Sequence, residues 1–382
     1  MQKKNILYIH HSGRLGGAPK SLSLLLEKID KTRFEPIILA LQNGPAIEML
    51  KKTGAKVIVK PWLFPFHGST VSGMPFSHLV KNYLFVIPTF FGARRIIKKI
   101  NPDFIHLNST CLFTFAAAAK SINKKLKVIT HVREPLLLNL FGKILKVANY
   151  RYTDGYISIC KNDQSRMLLK NKPATVVYNF INFSDYNPGI TNRVLRDELQ
   201  LKNDAIICLS LARISKPNGI LELIERFKAL NKSFTKFKLV VVGLKQNNSY
   251  EKKCIEAAKS NPNIFLLPFR TDATALIASS DIMLCSFTAP HFSRAIIEAS
   301  AMGKPTLGNN IGGVDELIDD AKTGYLFNIH SQQDFEEKLS KLKDEKHREV
   351  LGRNGYSFAQ ANFDAEKNAQ ATFKFYEQFL EL

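Results

Sequence analysis

The chain has 382 residues, 45% of them hydrophobic and 23% charged, with 20 glycines and 16 prolines. That is about two domains' worth of polypeptide with enough apolar content for a core in each, and it excludes collagenous, low-complexity and disordered classes. The net charge of +21 sits almost wholly in residues 1–185, where 28 Lys and Arg face 9 Asp and Glu while the remainder holds 26 against 24, so the first half expects an anionic partner, nucleic acid or an anionic bilayer surface.

The opening run MQKKNILYIHH passes from a basic dipeptide into a short apolar strand at 5–9. It lacks the longer apolar region and cleavage site of a signal peptide, so the expected location is cytoplasmic. GRLGGAPKSLSLLL follows from Gly13 to Leu26 as a glycine turn feeding a helix. Gly16 and Gly17 there would let backbone N–H groups at the helix start approach a phosphate or sugar oxygen, although a plain strand-to-helix turn uses the same residues. Further strands are predicted at 36–41, 56–59, 104–107, 127–131 and 155–158. Between them, residues 61–100 interleave Trp62, Phe64, Phe66, Phe76, Tyr83, Phe85, Phe90 and Phe91 with Lys81, Arg94, Arg95, Lys98 and Lys99. That mixture suits an interfacial surface as well as it suits core aromatics beside a solvated helix face. The apolar runs 83–92, broken by Pro88, and 111–119 fall far short of the roughly 20 residues that cross a bilayer.

The strand and helix alternation restarts after 179–193, a stretch rich in Asn, Gly, Pro and Asp that reads as a linker. Strands are predicted at 205–211, 238–242, 264–267, 282–285 and 305–308. In 364–382, Ala365, Ala369, Phe373, Tyr376 and Leu380 recur at helical spacing. The division expected is a Rossmann-like domain at 1–185, a second at 186–362, and a closing helix at 363–382 that packs back on the first. Cys111, Cys160, Cys208, Cys254 and Cys285 form no C-x-x-C pair, which fits a reducing compartment rather than a disulfide framework or structural zinc. No GxGxxG, Walker, HExxH or zinc pattern is present.

The second half carries, in order, LSLARISKPNGILELI from Leu209, LVVVG ending at Gly243, NIFLLPFR from Asn263, SSDIMLC from Ser279, FSRAIIEASAMGKPTLGNNIGGVDELI from Phe292 and KTGYLF from Lys322. Together with Gly16-Gly17 these strongly resemble the retaining glycosyltransferases of family 4. The resemblance implies the α/β GT-B fold, two facing Rossmann-like domains with a cleft between them. The first domain would bind the acceptor, and the second a nucleotide-diphosphate sugar, UDP- or GDP-linked, with no cofactor. It implies metal-independent hexosyl transfer with retention, in which the acceptor hydroxyl attacks the face that the diphosphate leaves. No Asp-x-Asp sequence occurs, so no divalent metal is expected.

Carried over residue by residue, the resemblance puts Arg213 on the donor pyrophosphate, where a guanidinium can meet the growing charge of the leaving group. The family's companion lysine is replaced by Asn218, with Lys216 two residues earlier. Of the family's Glu-x7-Glu pair, Glu298 remains for the ribose, whereas Pro290 stands where a sugar-binding carboxylate is usual. Proline's side chain has no acceptor, so an unusual donor, a deoxysugar or another epimer in place of UDP-glucose, is expected. His291, Phe292 and Ser293 would offer backbone N–H groups at a helix start. Phe269 and Arg270 match the region that holds the base, and Gly312, Gly313 and Glu316 fit a loop-shaping GGxxE. His131, in VITHVREP, matches an active-site histidine, with Arg133 and Glu134 toward the acceptor. His10, His11 and His106 at similar strand ends read as structural. The acceptor expected is a glycan or lipid-linked chain in cell-surface polysaccharide synthesis. The basic half would then bind the anionic inner face of the membrane; no nucleic-acid module accompanies it, so no nucleic-acid partner is expected. The departures at Asn218 and Pro290 keep open a catalytically weak relative that binds a sugar nucleotide or glycan without transferring it.

Overall fold

The computed structural model describes residues 3–69, 75–245 and 247–380. Met1 and Gln2 of the opening run and Glu381 and Leu382 of the closing helix lie outside the described residues, as do residues 70–74 of the aromatic segment. The chain forms two compact units, one of Met1–Phe180 with Ala365–Leu382, the other of Ile181–Asp364. Ile181 donates its N–H to the Phe363 carbonyl at 3.0 Å and bridges Asp364.

The first unit is built on a seven-stranded sheet: β1 (Lys4–His10), β2 (Phe34–Ala40), β3 (Lys56–Val59), β4 (Phe104–Leu107), β5 (Lys127–Val132), β6 (Gly155–Ser158) and β7 (Ala174–Val176). Their order is β3-β2-β1-β4-β5-β6-β7, and every pair is parallel. A parallel sheet needs cover on both faces, and β1 shows why its sequence is apolar throughout. Ile6 and Tyr8 point into a core with Leu22, Leu25 and Leu26 of the helix Gly17–Glu27 and Ala369 and Tyr376 of the helix Ala365–Glu377. Leu7 and Ile9 point the other way, against Ala93 and Ile97 of the helix Phe76–Ile100 and Phe115 and Ala119 of the helix Phe113–Ile122.

The second unit repeats the plan with six parallel strands: β8 (Ile206–Leu211), β9 (Phe237–Leu244), β10 (Ile264–Pro268), β11 (Ile282–Cys285), β12 (Thr306–Asn309) and β13 (Gly324–Phe327). Their order is β10-β9-β8-β11-β12-β13. The strands β7 and β13, each at a sheet edge, add to those predicted. The helix Ile220–Lys228 places Ile220, Leu223, Ile224 and Phe227 on the core, which also takes Phe327 and Phe335.

The segment 61–100 divides between its two readings. Phe64 stacks on Phe85 with ring centres 4.1 Å apart, Phe66 is buried, and Phe90 packs against the core. Gly92 has no Cβ because the Trp62 ring occupies that space. On the same 25-residue helix, Phe76, Val80, Tyr83, Leu84, Ile87 and Phe91 are exposed, and the helix runs through Pro88 without ending. Among the described residues no helix is long and apolar enough to cross a membrane.

Candidate active site

In each sheet the strand order reverses between two neighbours, β1 and β4 in the first unit and β8 and β11 in the second. Loops leaving such a pair at its carboxyl end part to opposite faces and open a crevice, which is where ligands of doubly wound sheets bind.

At the first of these edges the strand-end side chains hold one another. Asn108, just past β4, donates from Nδ2 to His10 Nδ1 at 2.9 Å and to the Ala18 carbonyl at 3.4 Å. Arg133 donates from Nε to Asn108 Oδ1 at 2.8 Å, from Nη1 to Asn179 Oδ1 at 3.2 Å, and from Nη2 to His131 Nδ1 at 3.2 Å. The guanidinium expected to face the acceptor therefore spends these donors inside its own unit. Glu134 accepts a 2.6 Å hydrogen bond from Ser109 Oγ. Burial, aided by the Arg133 charge, holds His131 well below the ordinary imidazole range, so its ring is neutral. His106 is pushed down to about 3 by the same two causes. Gly16 lies in extended backbone just before the helix Gly17–Glu27, and a Cβ there would meet nothing within 4 Å.

At the second edge the loops, rather than the strand ends, carry the polar groups. Arg213 follows β8 and is exposed. Its carbonyl accepts from Asn218 Nδ2 at 2.7 Å, so the Asn218 amide braces the loop that presents Arg213. Lys216 is exposed, and its carbonyl takes the Thr288 hydroxyl at 2.7 Å. Gly219 has a left-handed backbone, φ 63°, and a Cβ would lie 1.5 Å from the Ser286 carbonyl oxygen; only glycine permits this approach of the two loops. A small opening beside them is lined by Ser210, Ala212, Asn218, Cys285, Phe287 and Ser293.

Ser293 caps the helix Arg294–Ala301 without a side-chain hydrogen bond, and Phe292 is buried beside it. The His291 N–H, expected among the donors at this helix start, is already given to the Gly312 carbonyl at 3.0 Å. Gly313, φ 90°, permits that contact, since a Cβ would meet the His291 carbonyl oxygen at 2.7 Å. The His291 ring stacks on Phe287 at 4.4 Å and is pushed down to about 4, by burial first and by the nearby Arg213 charge second. Glu298 is buried one turn into the helix with Arg294 Nε 3.7 Å away. Phe269 is half-exposed after β10, with Lys245 Nζ 4.4 Å from its ring centre and its N–H on the Leu244 carbonyl. Arg270 is held by Glu198 and Asp272, which leaves the backbone here as the candidate contact for a base.

Sequence reasoning missed Asn108 and Asn179, whose side chains tie the first edge together, and gave His106 no link to Tyr376. A local signal existed only for Asn108, which directly follows an apolar strand.

Two doubly wound parallel sheets, each with its helices and its own switch-point edge, define the GT-B class of glycosyltransferase fold. Residues 15–185 match the family Glycosyltransferase Family 4 and residues 192–358 the family Glycosyl transferases group 1. The chain belongs to the family 4 type of glycosyltransferases. It is 27% identical over 183 residues to the capsular polysaccharide biosynthesis glycosyltransferase CapM of Staphylococcus aureus, a match spanning 47% of this chain and 48% of that protein. It is 24% identical over 371 residues to the N,N'-diacetylbacillosaminyl-diphospho-undecaprenol alpha-1,3-N-acetylgalactosaminyltransferase of Campylobacter jejuni, spanning 92% of this chain and 93% of that one. Among solved structures, Anabaena HepE in complex with UDP and glucose superposes with a TM-score of 0.79 at 19% identity, covering 97% of this chain and 98% of that one.

Proposed function

We propose that the protein is a retaining, metal-independent glycosyltransferase that moves a sugar from a UDP- or GDP-linked donor to a glycan or lipid-linked acceptor in cell-surface polysaccharide synthesis. In this reading the second unit takes the nucleotide and the first takes the acceptor. The observation that carries it is the edge between β8 and β11, where a small opening is lined by Ala212 and Asn218, of the loop that presents the exposed Arg213, and by Ser293 and Ala295 at the start of the helix Arg294–Ala301. A leaving diphosphate gains negative charge in the transition state, and a guanidinium with a helix N-terminus can meet that charge. Glu298 would accept from the ribose and His131 would hydrogen-bond the transferred sugar. Support for the donor class comes from the UDP in HepE, and for a lipid-linked acceptor from the substrate in the Campylobacter relative's name.

A panel of UDP- and GDP-sugars, given to the purified protein with lipid-linked oligosaccharide acceptors, tests the reading. Transfer that survives EDTA, keeps the donor's anomeric configuration by NMR and falls by about 10² to 10³ in Arg213→Ala is the expected result. Because Pro290 offers no acceptor, UDP-glucose should not be the best donor; finding it best would reject that part. Absence of transfer or donor hydrolysis across the panel, with retained nucleotide binding, would favour the catalytically weak relative that Pro290 and the loop-bracing Asn218 also fit.

The same reading places the protein at the anionic inner face of a membrane. Its support is the exposed stripe Phe76, Val80, Leu84, Ile87 and Phe91, which continues at the same helical spacing into Arg95 and Lys98, with Lys99 beside it. Rings and aliphatic chains would enter the headgroup layer while the cations meet lipid phosphates. At about 1 kcal/mol per surface cation, Lys98→Glu with Lys99→Glu should weaken binding to phosphatidylglycerol vesicles at least about 30-fold. Binding should also fall with salt, and the protein should ignore DNA. Equal binding to neutral phosphatidylcholine vesicles would remove the membrane from the reading.

A further inference from the structure

A line of buried side chains in the first unit runs from the helix Ala365–Glu377 to the carboxyl end of β5. Tyr376 Oη lies 2.6 Å from His106 Nδ1, and His106 Nε2 lies 3.3 Å from His131 Nδ1. His131 Nε2 ends the line, buried and without a hydrogen-bond partner among the described residues.

The direction of these hydrogen bonds follows from one contact. Arg133 Nη2 is 3.2 Å from His131 Nδ1, and a guanidinium donates but never accepts, so His131 Nδ1 is an acceptor. A neutral imidazole whose Nδ1 accepts carries its proton on Nε2. His106 Nε2 faces that same acceptor and therefore donates, which leaves His106 Nδ1 to accept the Tyr376 hydroxyl proton. Arg133 settles His131, His131 settles His106 and His106 settles Tyr376, and the Nε2–H of His131 is left with no hydrogen-bond partner among the described residues.

We propose that, with Arg133 setting His131 Nδ1 as an acceptor, Tyr376 and His106 are positioning residues that hold the His131 ring in place as an Nε2–H hydrogen-bond donor, so that His131 serves the reaction by donating and not as a base. The role toward substrate rests on the reading above in which His131 meets the transferred sugar; the tautomer assignment does not. Tyr376 is needed because His106 without it is free to carry its proton on Nδ1. Its Nε2 would then set a lone pair against the lone pair of His131 Nδ1, and the ring that presents the donor would turn. The rings stand edge to face, 60° between His106 and His131 and 72° between His106 and Tyr376, so the chain of contacts also sets their tilt.

Long-range proton–nitrogen NMR on full-length protein labelled with 15N-histidine reads the tautomers directly. The expected result is Nε2–H for both His106 and His131. Tyr376→Phe keeps the ring and the packing; it should give His106 a mixed tautomer and lower kcat about tenfold, with KM for the donor changed less than about twofold. His106→Gln, whose amide can still donate to His131, should keep most of the rate, whereas His106→Leu, which removes that donor, should lose the rate with the His131 tautomer still held by Arg133. An Nδ1–H tautomer for His131 in the unaltered protein overturns the proposal, as does a Tyr376→Phe protein with unchanged tautomers and kcat. If the tautomers follow expectation but no donor is turned over, the positioning line stands and the transferase reading fails.

Discussion

The two sheets share one winding and present opposite kinds of edge. At the end of β1, β4 and β5, His10, Asn108 and His131 are buried and bonded into one network. At the end of β8 and β11 stand Leu211 and Cys285, and the cations Arg213 and Lys216 sit exposed in the loop that follows β8. The topology thus sets where a ligand can enter each sheet, while the strand-end residues decide whether the entrance is rigid and pre-bonded or shaped by loops. The charge excess divides along the same line, because Lys and Arg are spread almost evenly while 24 of the 33 Asp and Glu come after residue 185.

The largest effect that would sharpen this contrast is Arg213→Ala. If the second edge acts through Arg213, turnover should fall by about 10² to 10³ with the thermal melt unchanged, as for other removed transition-state donors. A loss under threefold would break the contrast by making the loop incidental. Next is Gly219→Ala, which sets a methyl group into the Ser286 carbonyl on a left-handed backbone. It should cost about 3 kcal/mol, read as an earlier melt in circular dichroism, while the fluorescence of Trp62, the sole tryptophan, keeps reporting an intact first unit.

The smallest effect is on acid sensitivity. Burial lowers His10, His67, His106 and His131 in the first unit, His67 to about 4 and His106 to about 3, while His291 in the second is lowered to about 4. An unfolded histidine titrates near 6.5. As pH falls from there toward 4, the unfolded chain therefore takes up protons that the folded unit refuses, and stability drops. The first unit should lose more, so urea melts at pH 5 should show the Trp62 transition preceding the circular dichroism transition, with the two closer at pH 7. Coincident shifts would mean that the buried histidines are not what separates the units.

Most central strands were legible because a parallel strand covered on both faces is a continuous apolar run, as in Ile6 to Ile9 and Ile282 to Leu284. Ala174–Val176 and Gly324–Phe327 escaped because three or four edge residues carry little pattern. The helix Phe76–Ile100 was masked by Pro88 and by apolar residues on its outer face, which blur the inward periodicity. Arg213 and Glu298 were singled out through the family pattern around them, whereas nothing in that pattern gave the His291 N–H to the Gly312 carbonyl. The spending of Arg133 on Asn108, Asn179 and His131 was not, since nothing in VITHVREP tells which way a guanidinium turns. Nor was the contact of Tyr376 with His106, because 270 positions separate them and only the fold brings them together.

The first unit is discontinuous, since its core includes Ala369 and Tyr376 from a helix made after residues 181–364. During synthesis the second unit can emerge from the ribosome as an unbroken stretch and close early, as domains tend to do. The first must wait, half finished, until the last helix is released. Translation through that helix is then a built-in safeguard: a nascent protein truncated before it could close the second unit but would lack the tyrosine that completes the buried line of the first.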